Sequence, residues 1–245
     1  MIKGLLFDLN GTVIDIYTTE SDDNIYRTIS NYLDYFQIKI PPEMLKYEYF
    51  SIIKRQKTDS AEEFPEFDAV ELFAEIIKKY GENSKKHPSP ETIAILFRAA
   101  GRYKLEPYDG VLPTLKKLSK IYKMAAVSDG QKIWAMGELH SAGLDKFFET
   151  TVISSDYGFR KPDPRMFTTA LEKMKLLPHE VIFVGNDMFR DITGAHESGM
   201  KTVFFRSNQG EQKVSGAEPD YIIYNFYQLF DAIAFLMAQQ NNFNG

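Results

Sequence analysis

The sequence predicts an α/β fold, a mainly parallel sheet with helices on both faces, interrupted near its start by an inserted helical domain. Three observations predict it. After about residue 108, short apolar runs stopped by Gly, Asp, Asn or Ser alternate with segments of helical spacing. Between Asp15 and about Leu105 no comparable β-branched run stands out, and apolar residues recur three or four positions apart instead. Several apolar runs end abruptly in a polar residue, beginning with LLF at 5–7, which Asp8 closes. Strands this short and apolar suit a parallel sheet buried on both faces.

The first strand is the run before Asp8, and LLFDLNGTVID carries it on into Asn10, Gly11 and Thr12. Helices come next: Ile25, Ile29, Leu33 and Phe36 lie on one stripe, and Val70, Phe73, Ile76 and Ile77 on another. EEFPEF (62–67) and ENSKKHPSP (82–90) read as polar linkers between helices, and the many Tyr, Phe and Lys residues here as an ordinary core and solvated face. KMAAV (123–127) is a strand stopped by Ser128-Asp129-Gly130, and a helix from Gln131 to Ser141 is closed by Ala142-Gly143. TTVIS (150–154) is the next strand, followed by a polar loop and a helix from about Pro164 to Lys175. VIFVG (181–185) ends in Asn186-Asp187, a helix runs on to Ser198 with Gly199 behind it, and KTVFF (201–205) and DYIIY (220–224) complete the set. The chain divides on this pattern into a core, residues 1–15 and 106–245, and a helical insert, residues 16–105.

With 245 residues, 44% of them hydrophobic and 26% charged, the chain is long enough for a large core and has the composition of a folded globular protein. A formal net charge of -5 offers no basic field for a nucleic-acid backbone. The absence of cysteine excludes disulfides and thiolate chemistry and fits a reducing compartment. No apolar run reaches the length of a membrane span, and MIKGLLFDLNG turns polar too early for a signal peptide. The expectation is a cytoplasmic monomer acting on a small molecule, with no nucleic acid and no membrane as partner.

Ligands of an open parallel sheet bind at the carboxyl ends of its strands. Three strands end there in polar residues: Asp8 to Thr12, Ser128-Asp129, and Asn186-Asp187 with Asp191 after it. The loop GFRKPDP (158–164) brings Lys161 just beyond a fourth. Singly, each acid, amide or hydroxyl reads as a helix cap and the lysine as solvated. Together, at one edge, they read as a site.

FDLNGT, AVSDG, GFRKPDPRMF and IFVGNDMFRDITGAHESGM, in this order, resemble the motifs of the haloacid dehalogenase superfamily. The resemblance implies a Rossmann-like core, a helical cap between the first and second motifs with EPYDGV (106–111) as its return, and a phosphatase-like hydrolase. Asp8 would be the nucleophile, attacking phosphorus to give an aspartyl-phosphate that water cleaves. A dianionic substrate approaching an anion calls for a divalent ion, and Mg²⁺ suits an all-oxygen site. Its implied ligands are Asp8, the backbone carbonyl of Asn10, and Asp187. Asp191 and Asn186 would stand behind them, orienting water or the Lys161 ammonium; the Asn-Asp order departs from the commoner Gly-Asp and leaves open which of positions 186 and 187 faces the metal. Thr12, Ser128 and Lys161 would hold phosphoryl oxygens, with backbone amides near Gly11 and Asp129 adding donors.

Position 10 departs from the phosphatase pattern. The usual Asp there protonates the leaving alcohol, and an amide cannot exchange a proton in the working pH range. The metal ligand at this position is a backbone oxygen, so Mg²⁺ is not lost. Four readings follow: a phosphatase of good leaving groups or one with an acid from the cap; a 2-haloacid dehalogenase-like hydrolase, whose usual aromatic at position 10 is absent; a catalytically impaired phosphate-binding module; or an Asn10 that is engineered or deamidates to Asp. The first is favoured, with activity weakened by Asn10.

Overall fold

The computed structural model describes residues 1–213 and 216–243. Strands β1 (Gly4–Phe7) and β2 (Ile14–Thr18) precede four helices, α1 (Asp23–Asp34), α2 (Pro42–Asp59), α3 (Ala69–Tyr80) and α4 (Pro90–Ala100). The chain returns through β3 (Arg102–Pro107), α5 (Val111–Leu118), β4 (Lys123–Ser128), α6 (Lys132–Ser141) and β5 (Thr150–Ile153). It ends in α7 (Pro164–Met174), β6 (Val181–Gly185), α8 (Gly194–Glu197), β7 (Lys201–Phe205), β8 (Tyr221–Ile223) and α9 (Leu229–Phe243). Among the described residues, six strands form one sheet in the order β5-β4-β1-β6-β7-β8, every neighbouring pair parallel. The predicted α/β class is the observed one.

The central strand explains why one edge collects the polar ends. Alternation sends Leu5 and Phe7 into one core with Val111, Leu115, Ala126 and Leu139, and Leu6 into another with Val127, Phe167 and Phe183. Phe7 pairs with Ala126 of β4 on one side and Val184 of β6 on the other. Asp8, Ser128 and Asn186 therefore emerge as neighbours.

Helices α1 to α4 surround a core of their own, built on Ile25, Ile29, Leu33, Tyr49, Phe73 and Phe97 and reached from α6 by Trp134. The side chains of Asp22, Asp68 and Ser89 cap the starts of α1, α3 and α4 by accepting from the backbone N–H of Asn24, Glu71 and Thr92. No helix among the described residues is long and apolar enough to cross a membrane.

Two features differ from expectation. β2 and β3 pair antiparallel, with Asp15 opposite Glu106 and Ile16 opposite Leu105, so the expected boundaries at 15/16 and 105/106 fall inside a two-stranded ribbon. RYKLEP is mostly polar, and its strand character comes from pairing with β2. The helix expected from Asp187 to Ser198 opens as a wide π-type turn, Met188–Thr193, before the short α8.

Candidate active site

Beyond β1 the chain folds into a tight loop in which the Leu9 carbonyl accepts from the N–H groups of Thr12, Val13 and Ile14 at 3.2, 2.9 and 3.0 Å. Gly11 turns the loop with φ +86°, and a Cβ there would meet Asn186 Nδ2 at 2.3 Å. Both the backbone and the space demand glycine. Gly11→Ala is expected to cost about 2 to 4 kcal/mol of stability, read as a lowered urea midpoint at unchanged m-value; a midpoint like that of the parent would show that the loop relaxes freely. The loop brings Thr12 Oγ1 to 3.0 Å from Asp8 Oδ2 and 2.9 Å from Asn186 Oδ1. With one proton, the hydroxyl donates to one of them at a time.

Lys161 lies beneath this loop, 2% exposed. Its Nζ donates to Asp8 Oδ1 at 2.6 Å, Asp191 Oδ1 at 2.7 Å and the Val127 carbonyl at 3.1 Å. Burial alone would push this ammonium toward neutrality, but the charges of Asp191, Asp8 and Asp129 override it and raise its pKa. Asp191 is fixed from its other oxygen, Oδ2 accepting the N–H groups of Asn186 and Asp187, both at 3.0 Å. Gly185 permits the approach, since a Cβ there would lie 2.5 Å from that of Asp191. Burial raises the pKa of Asp191, the Lys161 charge opposes the rise, and Asp8 adds to it.

Asp187 turns toward Arg190. Its Oδ1 accepts the N–H groups of Phe189 and Arg190, while Oδ2 takes Arg190 Nε at 2.9 Å, Nη2 at 2.7 Å and the Glu211 N–H at 3.1 Å. Burial works to raise its pKa, but the contacts with Arg190 and the backbone donors hold it below the usual value. Asp129 accepts the Lys161 N–H on Oδ1 at 2.9 Å. Its Oδ2 is buried without a hydrogen bond, 3.6 Å from Arg190 Nη1, and burial raises its pKa against the pull of Lys161. Four carboxylates thus share two cations, a surplus of two negative charges when all are ionised. Among the described residues no group of three or more His, Cys, Asp or Glu side chains is arranged as a metal cage.

Above this cluster lies a cavity of about 220 Å³, whose wall includes Asn10, Asp129 and Arg190 from the core and Lys57 and Arg98 from α2 and α4. A second cavity, about 550 Å³, borders it at Asn10 and Arg98 and runs along β2. Among the described residues the Asn10 side chain makes no hydrogen bond, and it faces both spaces. Asp8 and Lys161 sit under the wall, bonded to each other. The structure brings Asp8, Thr12, Lys161, Asn186 and Asp191 into one bonded network, with Asp129 and Asp187 on its flank. Thr12 is fully enclosed, and Ser128 is buried, its hydroxyl no nearer than 3.4 Å to the Asp129 carbonyl it faces.

EEFPEF, read as a linker, is a strap. Glu66 donates its N–H to Gly158 and Arg160 its N–H to Phe64, both at 2.9 Å, so the strap pairs with the loop that carries Lys161. Gln131 holds it from β4's end, accepting the Ala69 N–H at 2.8 Å and donating to the Phe67 carbonyl at 2.6 Å. Gln131 and Arg190 were missed as site residues; Arg190 had a signal, lying three residues after Asp187.

A sequence profile described as haloacid dehalogenase-like hydrolase matches residues 5–205. The chain is 28% identical to the glyceraldehyde 3-phosphate phosphatase of Methanopyrus kandleri, covering 95% of this chain and 97% of that one. It is 30% identical to the pyrophosphatase PpaX of Halalkalibacterium halodurans, again over 95% and 97%. The crystal structure of a 2-haloacid dehalogenase from Pseudomonas syringae pv. tomato superposes with a TM-score of 0.70 at 23% identity over 96% of this chain and 99% of that one, a likeness of fold.

Proposed function

The chain belongs to the haloacid dehalogenase-like hydrolases, and from that premise we propose that it is a Mg²⁺-dependent phosphatase of small phosphorylated metabolites, working through an aspartyl-phosphate on Asp8. One observation carries the proposal: Asp8 ends the central strand pinned between Lys161 and Thr12, inside a cluster whose carboxylates outnumber its cations. Such a surplus suits a divalent cation more than it suits a monoanionic haloacid. The names of the two relatives, both phosphatases, agree.

The chemistry of the donors, all oxygen and in carboxylate surplus, suits Mg²⁺. Asp8, the Asn10 carbonyl and Asp187 would hold it, with Asn186 and Asp191 behind them, and Asp187 would exchange its Arg190 contacts for the ion. When bound, the ion offsets charge on Asp8 and on the phosphoryl oxygens. The remaining work falls to the chain. The Asp8 carboxylate, steadied by Thr12, bonds to phosphorus as the phosphorus–oxygen bond to the leaving group breaks, water then cleaves the aspartyl-phosphate to release phosphate and restore Asp8, and Lys161, already on Asp8, carries charge for the transferring group. In this reading Thr12 orients the nucleophile from within the loop, while Lys161 and the amides near Gly11 and Asp129 meet the phosphoryl oxygens. The helical layer, expected over 16–105 and bounded by the ribbon at Thr18 and Arg102, acts as a cap over the core. Asn10 leaves the proton for the leaving group unsupplied, which weakens turnover on alkyl phosphates. A net charge of -5 agrees with a small-molecule substrate and no nucleic acid.

The test is a phosphate-release screen over sugar phosphates, nucleoside monophosphates and small metabolite phosphates, with Mg²⁺ or EDTA. Release that EDTA abolishes is expected; halide release from 2-haloacids that persists in EDTA would reverse the reading. Calorimetry of Mg²⁺ binding checks the ligand assignment. Asp187→Ala is expected to weaken binding by more than Asp191→Ala, whose loss should stay within about 10- to 100-fold, and the opposite order would overturn the assignment.

A further inference from the structure

We propose that Lys57 and Arg160 form a second anion site in the cavity over Asn10, so that the substrate carries a carboxylate or a further phosphate besides the scissile one. This rests on the phosphatase reading above. Four cations line the cavity: Lys57, Arg98, Arg160 and Arg190. Two are committed. Arg98 clasps Glu138 through Nε at 2.6 Å and Nη2 at 3.3 Å and lies over the Trp134 ring at 5.1 Å, while Arg190 is taken by Asp187 at 2.7 Å and lies 3.6 Å from Asp129, which stays beside it when Asp187 turns to an ion. Lys57 and Arg160 form no ion pair among the described residues.

Four carboxylates share the wall, and none is paired with either of them; Asp129 accepts the Lys161 N–H and faces Arg190. Glu66 accepts the Phe67 N–H at 3.0 Å and the Ser154 hydroxyl at 2.8 Å. Glu138 belongs to Arg98. Glu20 stands by Tyr26 and Tyr49, whose phenols burial, and then the Glu20 charge, hold un-ionised. The strap meets both residues, the Lys57 ammonium through a ring and Arg160 through its backbone. Lys57, in the last turn of α2, lies over the Phe67 ring at 5.5 Å, and Arg160 is tied through its N–H to Phe64. They come from two different elements and are half-buried. A half-buried cation without a counter-ion costs desolvation that a ligand anion recovers. The Arg160 fork suits a carboxylate or phosphate held by two parallel bonds, and Lys57 adds a point charge. A neutral aldehyde or hydroxyl at the far end of a substrate gains little from either.

Inert phosphonates on the full-length protein with Mg²⁺ test this by calorimetry. Phosphonoacetate or methylenediphosphonate is expected to bind at least about tenfold more tightly than methylphosphonate, the lower end for one charge-assisted contact, and the tighter of the two identifies the second group. Lys57→Met and Arg160→Met should each reduce that advantage, and together remove it, with methylphosphonate binding and the urea midpoint unchanged. Equal binding of the three ligands, or an advantage that survives in the double variant, overturns the second site and leaves the phosphatase reading standing. Binding by none of them overturns both.

Discussion

Asp8→Ala is expected to abolish phosphate release on every substrate, a loss on the order of 10⁴-fold or more, as for other groups that act as the nucleophile. The structure gives a reason to expect a folded variant. Lys161 keeps Asp191 at 2.7 Å and the Val127 carbonyl at 3.1 Å, so no buried charge is stranded. Thr12 keeps Asn186. Asp8→Asn, which retains a side-chain partner for Thr12, should be as inactive, separating loss of the nucleophile from loss of packing. Beryllium fluoride with Mg²⁺, which adds to a carboxylate as a phosphoryl mimic, should raise the unfolding temperature of the parent and of neither variant. Hydrolysis retained in Asp8→Ala would eliminate the covalent route.

Asn10→Asp is expected to raise turnover on alkyl phosphates by ~10²-fold or more, the contribution of a placed general acid and base. Sugar and nucleotide phosphates expel a poor leaving group and need the proton. Acyl and nitrophenyl phosphates leave as stable anions and should gain less. The new carboxyl would occupy a wall shared by two cavities, where Asn10 makes no side-chain hydrogen bond among the described residues that the change would break. A carboxylate already in that wall would blunt the gain. Glu66 and Glu138 are held by other partners and Asp129 lies between the Lys161 N–H and Arg190, which leaves Glu20 as the competing acid. Comparing Glu20→Gln with the parent distinguishes the two: if Glu20 supplies the proton, the single change lowers alkyl-phosphate turnover and Asn10→Asp restores it. Unchanged rates and substrate ranking in Asn10→Asp would mean that position 10 is not the missing acid. The gain must also vanish when Asp8 is removed.

The polar edge of the sheet was legible in the sequence because β1, β4 and β6 are covered on both faces. Burial on both sides makes a strand a short apolar run, and the first polar residue marks where it leaves the core, as at Asp8, Ser128 and Asn186. Parallel register then places those residues side by side. Side-chain direction at the edge was not legible. Thr12 points inward to Asp8, and Asp187 turns to Arg190, because a loop closed on the Leu9 carbonyl and a π-type turn set directions that spacing does not carry. The strap was equally hidden. EEFPEF has the composition of a linker, and its pairing with Gly158 and Arg160 joins segments far apart in the chain. β3 escaped for the same reason, a polar segment made a strand by its partner.

The β2–β3 ribbon gathers both covalent connections of the helical layer into one join. Thr18 and Arg102 sit opposite one another at its end, so everything from 19 to 101 leaves and returns through adjacent rungs. The closure is already made by the ribbon, and the entropy of joining its ends grows only slowly with the length of what hangs between them. Changes in helix length there cost the join little entropy and are limited instead by the contacts of Arg98 with Glu138 and of the strap with Gln131, Gly158 and Arg160, while Asp8, Lys161 and Asp191 stay on the core side. On the phosphatase reading, a change in α2 or α4 then alters the cavity wall at Lys57 or Arg98 while the Asp8–Lys161–Asp191 network keeps its bonds.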